Sequence, residues 1–127
     1  WDIIWKANIP QKIKIFAWRA ATNSLAVQMN RVKHHQTDSC ICSICGAQDE
    51  DIFHALVSCS KARALRMAVR ERWNIPDEEF FKCTGPDWLL ILLAQLSLLQ
   101  REQILFLFWR AWHLRNNLIF WEGERIR

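Results

Sequence analysis

The feature that most constrains this chain is a group of three cysteines and one histidine within eighteen residues. Cys42 and Cys45 have two residues between them, and after eight more residues come His54 and Cys59, with four residues between them. Three thiols and an imidazole form a ligand set that Zn²⁺ binds as a tetrahedron. Gly46 follows directly. A turn that directs both sulfurs at one ion often needs a positive φ at this position, which glycine adopts readily. The sequence therefore predicts one Zn²⁺ held by Cys42, Cys45, His54 and Cys59.

The ion in such a site is expected to be structural. Four protein ligands leave no open coordination position for a substrate or an activated water. In a small helical domain, a closed site of this kind contributes folding free energy outright. Three thiolates, a neutral histidine and Zn²⁺ together carry a single negative charge, so a neighbouring lysine or arginine would be favourable.

Cys40 is an alternative ligand because it lies two residues before Cys42. A Cys-x-Cys pair is less suited to chelating one tetrahedral ion beside Cys45, so the preferred interpretation is a bystander thiol. The loop between the two ligand pairs is also longer than in the retroviral-type zinc knuckle. The nucleic-acid chemistry of that knuckle is therefore not transferred to this chain.

The composition favours helices over a sheet. The chain has 127 residues, 51% of them apolar, and only three glycines and three prolines. That is enough for one domain with a core. We expect an all-α fold, mainly helical and irregular, stabilised by zinc. Residues 1–76 are predicted to form the zinc-binding domain, and residues 77–127 a helical extension or connector that packs on it.

Apolar spacing predicts the elements of the first half. Residues 1–8 read as an extended lead-in anchored by Trp1 and Trp5. A helix then spans residues 11 to about 22, and a second short helix spans residues 27–34 with Leu25, Met29 and Val32 inward. Acidic residues at 49–51 read as a solvated helix start before a segment that carries His54 inward. The inner face of the first helix repeats at helical intervals, and it comprises Ile13, Phe16, Ala17 and Ala20.

Three more helices are predicted beyond the metal ligands. The first runs from residue 59 or 60 to about 73, with Met67 and Trp73 among its inner residues and its arginines on the other side. The second runs from residue 88 to about 99 with Asp87 as its cap, and the third from residue 100 or 101 to about 121. The core face of the last helix is predicted to hold Ile104, Leu105, Phe108, Ala111, Trp112 and Ile119.

The positive charge is concentrated in two segments. Residues 1–36 carry six lysines and arginines against one aspartate, and residues 61–72 carry five against one glutamate. This pattern is compatible with a polyanion such as RNA or DNA, but a solvated helix face explains it equally well. Trp18 could stack on an exposed base, although packing in the core is preferred. The candidate phosphate contacts are Lys12, Lys14, Arg19, Arg31 and Lys33.

The remaining polar residues show no catalytic arrangement. The sequence has no glycine-rich phosphate loop, nucleophile elbow or carboxylate pair in apolar surroundings, so we expect no enzyme activity. The histidines at 34, 35 and 113 are interpreted as solvated, and Cys83 as a core or interface thiol. The polar run from Arg115 to Asn117 is either purposeful or a helix end whose side chains compete for backbone hydrogen bonds.

Compartment and completeness are also expectations. Five cysteines, an odd number, suit a metal site better than a disulfide framework, and the start of the chain lacks a signal peptide. We expect an intracellular location, in the nucleus or cytoplasm. The abrupt ends suggest a fragment of a longer protein. The longest apolar run, residues 88–99, is shorter than the roughly 20 residues that span a bilayer.

The motifs together resemble a known family. The opening runs Trp1-Asp-Ile-Ile-Trp5-Lys6, followed by the segment from Pro10 to Arg19, and then Cys42-x2-Cys45-Gly46, Glu50, His54 and Cys59. This combination resembles the zinc-binding domain of plant LINE-type (non-LTR retrotransposon) reverse transcriptases. The segment Phe108-Trp109-Arg110-x-Trp112-x2-Arg115-Asn116-Asn117-x2-Phe120 is similar to part of the connector helix that follows in those polyproteins.

The resemblance implies zinc binding and a role in holding template or target nucleic acid. Leu25-Ala26-Val27 stands where the family usually has Leu-Pro-Thr, and Leu65-Arg66-Met67 where it usually has a tryptophan. These departures suggest a drifted or domesticated copy.

Two functions follow from the sequence. The first is a non-catalytic module that binds nucleic acid through its basic helices. The alternative is a protein-interaction module, which would use the apolar, tryptophan-rich residues 88–121 to self-associate or to bind a host or pathogen protein.

Overall fold

The fold is a set of helices arranged around one long C-terminal helix. The computed structural model describes the backbone of residues 1–126 and the side chains of residues 1–119. Within that part of the chain there is no β-strand, and the single β-type pairing is an isolated antiparallel bridge between Ile41 and Asp49. The predicted all-α class is confirmed. The α-helices are α1 (Asp2–Trp5), α2 (Gln11–Ala21), α3 (Gln28–Lys33), α4 (Ser60–Arg70), α5 (Trp88–Ala94) and α6 (Leu98–Ile126), with a π-helical turn at His54–Ser58 and a 3₁₀ turn at Glu78–Phe80.

Helix α2 forms as its sequence predicts. It begins after Pro10, whose fixed φ of −56° suits the entry to a helix. All four residues of the predicted apolar stripe are buried. This stripe packs α2 against α1, α5 and α6.

Helix α6 contributes the centre of the core. Ile104, Leu105 and Phe108 are fully buried. The ring of Phe108 makes edge contacts with those of Phe81 and Trp88, at centroid distances of 6.3 and 5.9 Å. The same helix packs on α2, α4 and the π-helical turn. Predicted core residue Ile119 is half-buried, and Trp121 lies outside the described side chains.

The N-terminal lead-in differs from the prediction. Residues 2–5 form helix α1, and both Trp1 and Trp5 are exposed. Ile4 and Ile9 are the buried anchors instead. Ile4 is the only buried residue of this single helical turn.

The predicted helix over residues 88–99 is interrupted. Helix α5 ends at Ala94, and Asp87 makes no capping hydrogen bond with its side chain. Ser97 begins α6 instead, because its Oγ accepts a hydrogen bond from the Gln100 backbone N–H at 3.2 Å while Gln100 Oε1 accepts one from the Ser97 N–H. This Ser-x-x-Gln pattern is a capping box that was visible in the sequence. The helix therefore starts earlier than predicted.

The buried face of α3 is polar. Gln28 and Asn30 are buried, whereas Met29 and Val32 are only half-buried. The Asn30 side-chain amide donates to the backbone carbonyl oxygens of Asn23 and Leu25. These bonds pair the carbonyl oxygens of the turn before the helix. The spacing of apolar residues alone does not reveal them.

Arg66 breaks the predicted division of α4 into an apolar inner side and a basic outer side. Its side chain is only 3% exposed, with Nε and Nη2 on the two oxygens of Glu78 and Nη1 on the Val57 carbonyl. Arg70 also pairs with Glu78. The hydrogen bonds from Arg66 lower the pKa of the Glu78 carboxyl more than burial raises it. Predicted core residues Met67 and Trp73 are exposed. Arg66 occupies the inner position next to Met67, and Trp73 lies beyond the end of α4 at Arg70.

Replacement of this arginine tests the buried pair. We expect Arg66→Ala to lower the free energy of unfolding by about 2 kcal/mol, which is below the usual cost of breaking a buried ion pair because Glu78 stays partly solvated and paired with Arg70. Urea unfolding of the zinc-loaded chain measures the change. Arg63→Ala, an exposed arginine of the same helix, is the control and should change the stability by less than about 0.5 kcal/mol. Equal effects of the two variants would contradict the assignment.

Among the described residues, no helix combines the length and the apolar character that a membrane-spanning segment needs.

Candidate metal centre

The first two candidate ligands lie on a loop closed by backbone hydrogen bonds. The Cys42 N–H donates to the Gln48 carbonyl at 2.8 Å, and the Gly46 N–H donates to the Cys42 carbonyl at 2.9 Å. Gly46 has a φ of +68°, which a residue with a Cβ adopts only at a cost. The turn thus brings the sulfurs of Cys42 and Cys45 to one side of the loop, as the Cys-x2-Cys-Gly sequence predicts.

The other two candidate ligands depend on the π-helical turn. The Cys59 N–H donates to the His54 carbonyl at 2.8 Å, which is the wide hydrogen bond of that turn. In an ordinary α-helix, residues five apart point about 140° away from each other. The wider turn reduces this angle and lets both side chains approach one point. Asp51 Oδ1 starts the segment by accepting from the His54 N–H at 2.7 Å, so this acid acts at a helix start as predicted.

The four candidate donor atoms lie close enough together to share one ion. They all lie within 4.8 Å of one another. Cys42 Sγ is 3.9 Å from Cys59 Sγ, and Cys45 Sγ is 3.4 Å from His54 Nε2. Zinc bond lengths of about 2.3 Å to sulfur and about 2.0 Å to nitrogen require separations of roughly 3.8 and 3.5 Å in a tetrahedron. The residues present therefore fit one Zn²⁺.

The surroundings also suit a metal-bound histidine. His54 Nδ1 lies 3.0 Å from Ser58 Oγ. When Nε2 binds a metal, Nδ1 carries the proton and donates it to such an acceptor, which fixes the ring orientation. None of the five cysteines is in a disulfide, so the thiols are available as ligands.

The two loop thiols differ in acidity. Burial raises the pKa of the Cys42 thiol to about 12, and the nearby Cys59 and Glu50 add to the rise. The pKa of Cys45 is lowered, chiefly by the backbone hydrogen bond from Ala47. A divalent ion favours the ionised form of Cys42 instead, because zinc binds the thiolate and displaces the proton.

Zinc affinity is therefore expected to fall as the pH falls. Cys42 is protonated at pH 7 in the metal-free fold. In an unfolded chain it is also mostly protonated, because an ordinary thiol has a pKa of about 8.5. Binding must release this proton, so the affinity should drop at least about tenfold per pH unit below neutrality. Competition with a chromophoric chelator between pH 6 and pH 8 measures this dependence. An affinity independent of pH would contradict thiolate ligation by Cys42.

Glu50 was predicted to be solvated, and this prediction was wrong. Its side chain is fully buried and forms an ion pair with Arg115 of α6. Its Oε1 accepts from the Gln28 backbone N–H at 2.8 Å, and its Oε2 lies 3.8 Å from Cys42 Sγ. The sequence signals for this pair were the presence of both residues in the segments that resemble the family and the polar run from Arg115 to Asn117 in α6.

The other sulfur and imidazole groups lie outside the ligand cluster. Cys40 is half-buried and is not among the four grouped residues. Cys83 is exposed, so it is not a core thiol, and its interpretation as an interface thiol stays a prediction. His34 and His35 are exposed, as predicted. His113 is also exposed and its ring lies 4.4 Å from that of Trp109.

The five candidate phosphate contacts occupy different edges of the N-terminal helices. Lys12 Nζ lies over the Trp109 ring at 5.0 Å, and Lys14 Nζ donates to the Trp5 carbonyl at 2.8 Å. These two lysines therefore point to opposite flanks of α2. On α3, Arg31 bonds to the Gln28 side chain, while Lys33 is exposed.

The exposed face of α2 carries a tryptophan. Trp18 is 41% exposed, which corrects the preference for core packing. Ile15 and Arg19 are also exposed on this helix. Trp18 lies outward because the buried stripe occupies the opposite side of the helix. An indole and an arginine are thus adjacent at the surface.

Comparison with known proteins identifies similar sequences. The family model for zinc-binding in reverse transcriptase matches residues 1–65. A protein of Arabidopsis thaliana named "Putative ribonuclease H protein" is 23% identical over 130 residues, which cover 99% of this chain and 21% of that protein. The chain thus spans about a fifth of that relative's length. No solved structure matches the chain.

Proposed function

The chain belongs to the family of zinc-binding domains of reverse transcriptases, and we propose that it is a non-catalytic module that binds nucleic acid through its basic helices. The membership confirms the resemblance seen in the sequence, including the link to retrotransposons. The proposed ligands of one structural zinc are Cys42, Cys45, His54 and Cys59. The observation that carries this assignment is that their four donor atoms all lie within 4.8 Å of one another.

A closed site and paired acids support a non-catalytic role. Four protein ligands leave no place for a reacting water. Glu50 and Glu78, two acids near the basic helices, are held by arginines. The ribonuclease H name belongs to a much longer relative, and no activity is transferred from it to this chain.

The surface of α2 and α3 is the proposed nucleic-acid interface. Phosphate contacts by Lys12, Lys14, Arg19, Arg31 and Lys33 would give binding with little sequence preference and strong salt dependence. The exposed Trp18 adds a flat surface on which a base of a single strand could stack. Single-stranded RNA or DNA is therefore the proposed ligand.

Fluorescence anisotropy with labelled single-stranded RNA and DNA at several salt concentrations tests this proposal. We expect Trp18→Ala to weaken binding by about 1–3 kcal/mol, or roughly fivefold to a hundredfold. Arg19→Ala should reduce the slope of log affinity against log salt by about 0.7. Lys82→Ala removes an exposed lysine outside the basic segments and is the matched control. Absence of binding even at low salt would refute the proposal.

Self-association is a second candidate function, favoured by two exposed leucines. Leu98 and Leu99 are 73% and 63% exposed at the start of α6. Most of the apolar residues between 88 and 108 are in the core instead, so the surface for a second copy is smaller than the sequence indicates. Light scattering over a range of concentrations tests this function. A wild-type chain that is a strict monomer at every concentration, with the same scattering mass as the variant that carries both Leu98→Ser and Leu99→Ser, would exclude self-association through this surface.

Two further proposals concern organisation and location. We propose that residues 1–76 are the zinc-binding domain and that residues 77–127 are an extension packed on it, supported by the contacts of α6 with α2 and α4. Free thiols suit a reducing compartment, so the nucleus or the cytoplasm is the proposed location.

A further inference from the structure

We propose that Arg115 is the charge partner of the zinc centre and that Glu50 connects the two. This inference rests on the ligand set proposed above. Glu50 is fully buried, and its Oε2 lies 3.8 Å from Cys42 Sγ. Arg115 Nε donates to the same oxygen at 2.9 Å, and Arg115 Nη2 donates to Oε1. One guanidinium thus reaches the metal site through a single carboxylate.

The charges in this region require a buried cation. Three thiolates, a neutral histidine and Zn²⁺ leave one negative charge, and the Glu50 carboxylate adds another beside Cys42. A Cys42 thiol can donate a hydrogen bond to Glu50 Oε2, but a thiolate bound to zinc cannot. Buried charges are costly unless they are paired. Arg115, which is also buried, supplies the opposite charge at this point.

The arginine is held in place by its own helix and by Glu50. Its guanidinium lies over the Trp112 ring at 4.7 Å, and Nη1 donates to Asn116 Oδ1 at 2.9 Å. Glu50 also binds the backbone at the start of α3. The pair therefore joins α3, the ligand loop and α6 at one buried point. Arg115 lies well beyond residues 1–65, which the family model matches, so the metal centre depends on a helix outside that match.

Zinc affinity of the full chain tests the inference, with cobalt(II) absorption as a second readout of the ligand geometry. We expect Arg115→Gln to weaken zinc binding at least about tenfold, because two neighbouring anions remain. Glu50→Gln should weaken binding less than Arg115→Gln, because it removes one of the two anions and keeps the positive charge of Arg115. The double variant should bind zinc at least about threefold more tightly than Arg115→Gln, because the excess anion is gone. Arg110→Gln, an exposed arginine of the same helix, is the control and should stay within about twofold of the wild type.

Two results would overturn the inference. The first is an affinity of Arg115→Gln within about twofold of the wild type. The second is a double variant that binds no more tightly than Arg115→Gln, because the unpaired Glu50 carboxylate would then not be what weakens zinc binding. If Arg115→Gln does not fold at saturating zinc, the inference requires the double variant to fold and to bind zinc, and a double variant that also fails to bind would overturn it. A wild-type chain that binds no zinc would refute the ligand set itself, and with it this inference.

Discussion

Removal of zinc is expected to unfold the N-terminal two thirds of the chain. Structural zinc supplies an apparent binding free energy of about 10–16 kcal/mol in small zinc-binding peptides, which matches or exceeds the roughly 5–15 kcal/mol of net stability of a typical domain. The ligand loop has few apolar contacts of its own: Cys42 and Cys59 belong to a small buried cluster with Ala62 and Ala111. Without the ion, we expect this small cluster and the Glu50–Arg115 ion pair to be insufficient to hold the loop against α6.

A strong chelator and Cys45→Ser should have the same effect. Both are expected to abolish binding of the one zinc ion, as measured by elemental analysis. Both should also lower the helical far-ultraviolet circular dichroism of the chain by most of the share that this region contributes. Cys83→Ser is the matched control, because Cys83 is exposed and outside the ligand cluster. It should retain both the metal and the helical signal. Unchanged spectra after complete chelation would show that zinc does not stabilise the fold.

Phe108→Ala should remove a large part of the stability of the zinc-loaded chain. The side chain is fully buried where α6 meets the rings of Phe81 and Trp88. Truncation of a buried phenylalanine usually costs about 3–5 kcal/mol, from lost burial and from the cavity that remains. This is a large fraction of the stability of a small domain. The effect should appear as a lower urea midpoint of the zinc-loaded chain.

A leucine on the same helix provides the comparison. Leu99 is 63% exposed, and leucine and alanine are both good helix formers. Leu99→Ala should therefore change stability by less than about 0.5 kcal/mol. Similar small effects of both substitutions would mean that α6 is a separate arm and not part of the core.

The predictable parts of this protein share a local cause. The α2 stripe follows from helical period, and the four ligand candidates follow from the spacing of residue types with strong metal preference. In both, the information lies within a few residues of sequence. The capping box at Ser97 was equally local, and reading it would have placed the start of α6 correctly.

The predictions that were wrong concern residues whose position depends on contacts with distant parts of the chain. Glu50 was predicted to be solvated because acids in a polar loop usually are, and its partner stands 65 residues later. Arg66 was placed on the outer side of α4 with the other arginines, yet its side chain is buried in an ion pair with Glu78. Trp18 was preferred in the core because indoles are largely apolar, but the stripe of α2 was already complete without it.

The sequence by itself determined the helical class, the candidate ligand residues and the family, because each depends on residue type and short spacing. The tertiary structure decided which charges are buried, where Trp18 lies, and that α6 belongs to the surroundings of the metal centre. Those outcomes depend on which distant side chains meet away from water. There, a charge is stable only when an opposite charge from another part of the chain reaches it.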